Sequence, residues 1–317
     1  MTAKPYFKSL RDLPTEEYFV SGHRLCAGCL AGTIMRHLTK VAGPNTIIVN
    51  ATGCLEVAST IYPYTAWKVP WIHVAFENAA SVASGVETAI RILKKKGLIK
   101  EDKKINVIAV AGDGGTYDIG FQALSGMLER GHKVMYVLYD NEAYMNTGIQ
   151  RSGGTPLYAW TTTTPAGRIW KGERRPKKPI VDIVAAHRIP YAATANPAYI
   201  LDMINKFKRG LEVEGPAFIH VIQPCVAGWR IDSAKAVEVA RLAVQTAMWI
   251  NYEIDHGEFR VTTRVPKRKP VREYLKLQGR FRHLTDKEIE EIQKFVDKEV
   301  KRINKLVGEE VIGPVVE

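Results

Sequence analysis

Two short apolar, β-branched runs, Ile105 to Ala111 and Val134 to Tyr139, constrain this chain more than any other feature. Their length suits strands buried on both faces, and Phe121 to Arg130 between them repeats apolar residues at helical spacing. Strand, helix and strand in that order form a βαβ unit. The expected fold class is therefore α/β, an open and mostly parallel sheet with helices on both faces.

Both runs end in polar residues at the carboxyl edge of the sheet, where open α/β sheets bind ligands. Gly112, Gly114 and Gly115 let backbone approach a ligand closely, and the helix that follows points its amino end at the same place, which favours a phosphate. Asp113 after the first strand and Asn141 after the second add hard oxygen donors. Together they suit a magnesium ion that shares oxygens with a diphosphate. Gly-Asp-Gly alone is an ordinary strand-to-helix turn, and its pairing with an Asn that closes the next strand is the specific part. Other phosphate motifs fit worse: there is no Gly-Lys-Ser/Thr ending and no Gly-x-Gly-x-x-Gly opening a helix.

Four cysteines, Cys26, Cys29, Cys54 and Cys225, sit in similar settings, just before a helical pattern or just after an apolar run such as Phe218 to Ile222. Four thiolates are a complete ligand set for zinc or for an iron-sulfur cluster. Zinc sites usually bring two close pairs, whereas one pair and two distant singles fit a cluster that pins three loops. Zinc, and unrelated core thiols or a redox pair, remain the alternatives.

The 317 residues can bury a substantial core, and 46% hydrophobic with 25% charged residues is a globular balance. No run approaches the eighteen apolar residues of a membrane span, and Met1 to Arg11 lacks the apolar core of a signal peptide, so no membrane association and a cytoplasmic location are expected. The net charge of +12 gathers at Arg168, Lys171, Arg174, Arg175, Lys177 and Lys178, and at Arg264, Lys267, Arg268, Lys269 and Arg272. Such an excess suits an acidic redox partner, or else solvated loops and contacts with another subunit. Neither stretch interleaves aromatics as nucleic-acid modules do, so no nucleic acid is expected.

Residues 1–21 form an arm interrupted by Pro5 and Pro14, and 22–230 carry both candidate sites. Within them Leu30 to Val41, Ala79 to Lys95 and Pro197 to Gly210 are expected helices, and Thr46 to Asn50 and Tyr191 to Thr194 strands. Gln150 to Pro179 has neither period and is long enough for a functional loop. Residues 231–317 are expected as a helical extension, with a helix from Ser233 to Ile250. A capping box at Thr285 to Glu288 opens a last helix with Ile289, Ile292, Val296, Ile303 and Leu306 near one face.

Cys-x-Gly-Cys at 26–29, Ala-Thr-Gly-Cys at 51–54, Gly-Asp-Gly-Gly-Thr-Tyr-Asp-Ile-Gly at 112–120, Tyr-Asp-Asn-Glu-Ala-Tyr-Met-Asn-Thr-Gly at 139–148 and the late Cys225 resemble the beta subunits of pyruvate:ferredoxin oxidoreductases, in the 2-oxoacid:ferredoxin oxidoreductase family. The resemblance is strongest from Gly22 to Arg168 and around Cys225, and looser after Ile250. It implies a thiamine diphosphate-binding fold and coenzyme A-dependent oxidative decarboxylation of pyruvate, with electrons leaving to ferredoxin. Asp113, Asn141 and the Ala143 carbonyl would then bind Mg2+, Gly112, Gly114, Gly115, Thr147 and Gly148 would join Asp113 and Asn141 around the cofactor, and the four cysteines would carry one 4Fe-4S cluster.

Asn146 is the expected catalytic residue, an amide donor toward the substrate's developing oxyanion, with capping of its turn as the alternative. The glutamate that serves the cofactor's pyrimidine ring belongs to an alpha chain in this family, and Glu56 and Glu77 are expected to be structural. Alpha, gamma and delta-type subunits are the implied partners, and the chain alone is expected to be inactive. Tyr117 stands where some relatives have Ala, which either favours a small substrate or reflects packing. Leu30 follows Cys29 where many relatives have Gly. The other functions considered are a related enzyme for 2-oxoisovalerate or oxalate, and a non-catalytic zinc or cluster scaffold.

Overall fold

A computed structural model describes residues 5–316, so the first four residues of the expected arm lie outside the described residues. In chain order the elements are α1 (Ala31–Ala42), β1 (Thr46–Ala51), α2 (Cys54–Ser59), β2 (Trp71–Val74), α3 (Ala79–Lys95), β3 (Asn106–Gly112), α4 (Phe121–Glu129), β4 (Met135–Asp140), α5 (Ile180–Ala185), β5 (Tyr191–Ala195), α6 (Ile200–Glu212), β6 (Ala217–Ile222), α7 (Ala236–Gln245), β7 (Tyr252–Asp255), β8 (Glu258–Val261), α8 (Val271–Leu275) and α9 (Asp286–Val307).

Among the described residues the strands form one sheet in the order β2-β1-β3-β4-β6-β5-β7-β8. Pairing is parallel from β2 through β5 and antiparallel for β7 and β8. Every residue of β4, β5 and β6 is buried, which requires helices on both faces. Successive side chains alternate between those faces. Ile48, Val110, Val137 and Ile219 pack with α1 and α6, while Val49, Ala109, Leu138 and Phe218 pack with α3, α4 and α5. On α3 the buried face is Ala79, Ala80, Ala83 and Ser84, small enough for the helix to lie close on the sheet.

Residues 231–317 are less uniformly helical than expected. The helix anticipated from Ser233 to Ile250 is a 3-10 turn followed by α7, which ends before Ala247 takes a left-handed φ of 58°. A hairpin then adds β7 and β8 to the sheet. His256 and Gly257 both have positive φ, the turn that matches strand twist in a two-residue hairpin loop. The strands are four residues each and rich in charge, so their alternation is weak in the sequence.

The capping box of α9 is formed, with the Thr285 backbone N–H donating to Glu288 Oε2 at 2.8 Å. Ile292, Val296, Val300 and Ile303 bury its face against α7, α8 and Trp229. Leu306, expected on that face, is 54% exposed. Truncating Ile303 to Ala should therefore cost about 2–5 kcal/mol by leaving a cavity, and Leu306→Ala should stay within about 0.5 kcal/mol of the parent. Urea unfolding of the two variants checks this, and equal losses would contradict the packing.

Candidate active site

β1, β3, β4 and β6 are consecutive in the sheet, and each carries a candidate residue just past its carboxyl end. Cys54 follows β1, Asp113 follows β3, Asn141 follows β4 and Cys225 follows β6. Register keeps those ends level, Gly112 opposite Tyr139 and Asp140 opposite Ile222. The oxygen donors and the cysteines are thus neighbours through topology, at a spacing of about 4.8 Å per strand.

Asp113 does not lead directly into α4, which begins at Phe121 as expected. One turn of π-helix, Gly114–Ile119, intervenes and is closed by Gly120 N donating to the Gly115 carbonyl at 2.9 Å. A side chain at Gly114 would strike the Tyr144 ring 2.3 Å away, so only glycine lets the turn meet that aromatic. Gly112, Asp113, Gly114, Asn141, Ala143, Tyr144, Met145, Asn146 and Thr147 line a cavity of about 310 Å3, together with Thr52, Gly53, Cys54, Phe76 and Tyr139.

At its floor, the amide end of Asn141 lies 3.0 Å from Asp113 Oδ1 and 2.9 Å from the Ala143 carbonyl oxygen. Turned nitrogen-inward, the amide would donate to both. Turned oxygen-inward, three oxygens face one another with no proton between them and need a cation to hold them. Octahedral Mg2+ with ligands at about 2.1 Å sets adjacent ligand oxygens about 3.0 Å apart, so the donor set fits that ion. Asp113 is 1% exposed and accepts a hydrogen bond from Ser152 Oγ. Burial and the nearby Asp140 push its carboxyl well above the usual range, the environment of an anion that lacks its counter-ion.

Behind this floor lies an ionic network that the sequence did not reveal. Asp140 Oδ2 accepts from Lys177 Nζ at 2.9 Å, from Tyr117 Oη at 3.0 Å, and lies 2.7 Å from His220 Nε2. Burial would raise the Asp140 carboxyl, but Lys177 and His220 outweigh it and hold it below the usual carboxylate range. Burial pushes His220 down despite Asp140. Glu142 is paired with Lys177 Nζ and Arg280 Nη2, each at 2.6 Å. The two acidic neighbours of Asn141 were visible in the sequence as a hint, whereas Lys177 was grouped with surface cations and Arg280 carried no signal.

The long segment from Gln150 to Pro179 folds over the site, as its length suggested. It supplies Ser152 to Asp113, Lys177 to Asp140 and Glu142, and Lys178 to Asp118. Gly154 passes so close that a Cβ would lie 3.0 Å from Asp140 Oδ1.

Cys26 and Cys29 flank a turn in which Cys29 N donates to Cys26 O at 2.9 Å, with Gly28 at φ +79° against the Ser233 backbone. Leu30 anchors this turn by packing in the core with Ile222 and Trp229. Burial pushes the Cys29 thiol up to about 11 and Cys54 up to about 12, and in both the charges of the other cysteines add to the rise. Burial raises Cys225 as well, against N–H donors that include Gly228 at 3.3 Å. Gln223, unremarked in the sequence, donates to Cys29 Sγ at 3.5 Å. The four thiols therefore feel one another across three loops, although among the described residues no three His, Cys, Asp or Glu side chains are grouped to hold a single metal ion.

Asn146 is exposed on the cavity wall, and among the described residues its amide makes no hydrogen bond. Thr147 Oγ1 donates to the Tyr144 carbonyl at 3.3 Å, and Gly148 turns the chain at φ +115°. Gly115 and Gly148 stand outside the cavity lining, as do Glu56 and Glu77. Tyr117 is 2% exposed and faces Asp140 and His220 rather than the cavity, so its bulk is packing and does not gauge the substrate. The second basic stretch is largely neutralised within the chain: Arg264 pairs with Glu309, Arg268 with Asp297, Lys269 with Glu273 and Arg272 with Asp286. No helix among the described residues is long and apolar enough to cross a membrane.

Residues 51–221 match the sequence family described as thiamine pyrophosphate enzyme, C-terminal TPP binding domain. The pyruvate synthase subunit PorB of Methanocaldococcus jannaschii is 61% identical, over 90% of this chain and 96% of that protein. The ketoisovalerate oxidoreductase subunit VorB of Pyrococcus furiosus is 49% identical, over 90% of this chain and 91% of that protein. Among solved structures, a 2-oxoglutarate:ferredoxin oxidoreductase from Magnetococcus marinus shares the fold with a TM-score of 0.55 and 22% identity, over 76% of this chain and 84% of that one.

The charge on Asp113 gives a stability test. Its folded pKa lies above the ordinary value of 3.8, so its contribution is full below that value and is lost as pH rises through the folded one. Near neutral pH the cofactor-free chain carries this penalty, and Asp113→Asn should melt a few degrees higher, at about 2–4 °C per kcal/mol relieved. The advantage should shrink as pH falls toward 4. A lower melting temperature for the variant at neutral pH would contradict the electrostatic assignment.

Proposed function

This chain belongs to the PorB family of pyruvate synthase subunits, and from that premise we propose that it binds thiamine diphosphate, Mg2+ and one 4Fe-4S cluster for coenzyme A-dependent oxidative decarboxylation of pyruvate. It is a beta subunit of a 2-oxoacid:ferredoxin oxidoreductase, an enzyme of several subunits. The observation that carries the finer reading is the shared wall: Cys54 lines the same cavity as Asp113, Asn141 and Ala143. With Cys54 in that wall, a cluster held by the four cysteines would border the cofactor cavity.

Thiamine diphosphate supplies the electron sink for the departing carboxylate, and an iron-sulfur cluster takes electrons one at a time. The protein's part is placement. Asp113 Oδ1, the Asn141 amide oxygen and the Ala143 carbonyl hold the cation, and Gly112 and Gly114 leave the backbone bare where the diphosphate approaches. Asn146, with its amide unengaged, donates toward the substrate's carboxylate or carbonyl oxygen. Among the described residues no glutamate lines the cavity, which supports a pyrimidine-ring carboxylate from an alpha chain and inactivity of this subunit alone. Gamma and delta-type subunits and ferredoxin complete the electron path. The cytoplasm, where cysteines stay reduced, suits four free thiols.

Pyruvate is favoured over 2-oxoisovalerate because identity is 61% to a PorB subunit and 49% to a VorB subunit. Zinc is disfavoured because its sites usually bring two close pairs of ligands, whereas these cysteines form one pair and two distant singles. The test is anaerobic purification of the assembled complex, with iron, sulfide, zinc and thiamine diphosphate quantified and ferredoxin reduction assayed on both oxoacids. Iron with bound cofactor and pyruvate-dependent reduction is expected. A zinc-loaded complex that reduces no acceptor would overturn the reading.

Two substitutions refine it. Cys225→Ser should lower iron content and electron transfer while thiamine diphosphate stays bound, and full iron occupancy would remove Cys225 from the ligand set. Asn146→Ala should reduce turnover about 100- to 1,000-fold with both cofactors retained. Turnover within a few-fold of the parent would leave Asn146 as a plain surface residue of the cavity.

A further inference from the structure

The turn Asp140-Asn141-Glu142-Ala143 has an unusual conformation. Glu142 adopts a left-handed φ of 67°, a state that side chains other than glycine rarely take. That reversal lets the Asn141 amide and the Ala143 carbonyl, on either side of Glu142, meet at 2.9 Å and face Asp113 together. A relaxed backbone at Glu142 would separate them. Something must therefore hold the turn, and the restraints are specific.

Within the turn, Glu142 N donates to Asp140 Oδ1 at 2.9 Å, and Thr155 Oγ1 donates to the Glu142 carbonyl at 2.8 Å. Two further restraints come from residues 88 and 138 positions away. The Trp229 indole N–H donates to the Asn141 backbone carbonyl at 2.7 Å, and Arg280 Nη2 donates to Glu142 Oε2 at 2.6 Å. These two residues are one unit. The Arg280 guanidinium lies 3.7 Å over the Trp229 ring, Arg280 N donates to the Trp229 carbonyl at 3.3 Å, and Gln278 Oε1 accepts from Arg280 Nε at 3.0 Å. Both side chains are buried, at 0% and 2% exposure, and neither lines the cavity.

We propose that Arg280 and Trp229 are positioning residues for the cation site, clamping Glu142 and the Asn141 carbonyl so that the three ligand oxygens face one point. The alternative restraint on Glu142, Lys177, is shared with Asp140 and cannot replace Arg280 alone. The clamp acts on backbone conformation and ligand direction and touches no reacting atom. Its loss therefore appears first in cation affinity.

The inference rests on Asp113, Asn141 and Ala143 being the cation ligands, and the experiment separates the two. The assembled complex is stripped of cofactor, and Mg2+ is titrated at saturating thiamine diphosphate while cofactor binding is followed by circular dichroism. Iron content and apo melting temperature are measured on the same samples. Arg280→Met, which keeps an apolar contact on Trp229, should weaken apparent Mg2+ affinity 10- to 100-fold, as loss of supporting partners of metal ligands does. Excess Mg2+ should return turnover close to the parent's. Trp229→Phe, which removes the indole donor and keeps an aromatic ring against Arg280, should shift affinity in the same direction. Parental Mg2+ affinity in both folded variants would overturn the clamp, and Trp229→Phe alone decides if Arg280→Met does not assemble. Absence of Mg2+-dependent cofactor binding in the parent would instead refute the ligand assignment.

Discussion

Three carboxylates, Asp113, Asp140 and Glu142, are buried at the ends of two adjacent strands, and water cannot neutralise them. The surrounding structure is arranged to do so. Lys177 answers two of them from the long loop and Arg280 answers one from the C-terminal region, while His220, whose pKa burial lowers, adds a hydrogen-bonding partner. Among the described residues Asp113 alone of the three has no basic side chain in contact, and it keeps the Ser152 hydroxyl as its hydrogen-bond donor. The imbalance is placed where it is useful, at the one carboxylate that faces the cavity. A site that binds a dication with a diphosphate needs residual negative charge at the metal and bare backbone at the phosphates, and this edge of the sheet has both.

The cysteines follow the same topological logic. Their separation in sequence hides that β1 and β6 flank the strands bearing Asp113 and Asn141. Desolvation raises three of the thiols above their ordinary value, so any metal that binds them as thiolates would displace protons.

The sheet and its parallel core were legible because buried parallel strands write continuous apolar runs, and the two candidate centres could be proposed from the sequence because ligand-binding turns depend on residues with few substitutes. Asp113 and Asn141 stood out for that reason. The π-turn after Asp113 was not legible, since glycine-rich sequence does not distinguish one tight helical turn from another. Lys177 looked like a surface cation because nothing local marks a charge whose partners are tens of residues distant. The β7–β8 hairpin was missed because its strands are short and charged, although His256-Gly257 is a turn pair that could have flagged it. Leu306 continues the apolar period of α9 into solvent, a reminder that periodicity outlasts the surface it packs on.

The bond between Glu142 and Arg280 spans 138 residues, and that distance has a meaning in time. Chains emerge at about 5–20 residues per second, so the turn after β4 leaves the ribosome roughly 7–30 s before its arginine does. During that interval the sheet can pair, but the loop bearing Asn141 lacks the contact that fixes its direction. If Arg280 aims the cation site as proposed, cofactor loading waits until Arg280 has been made. A chain cut short before Arg280 would carry the whole recognisable motif and still lack the part that aims it.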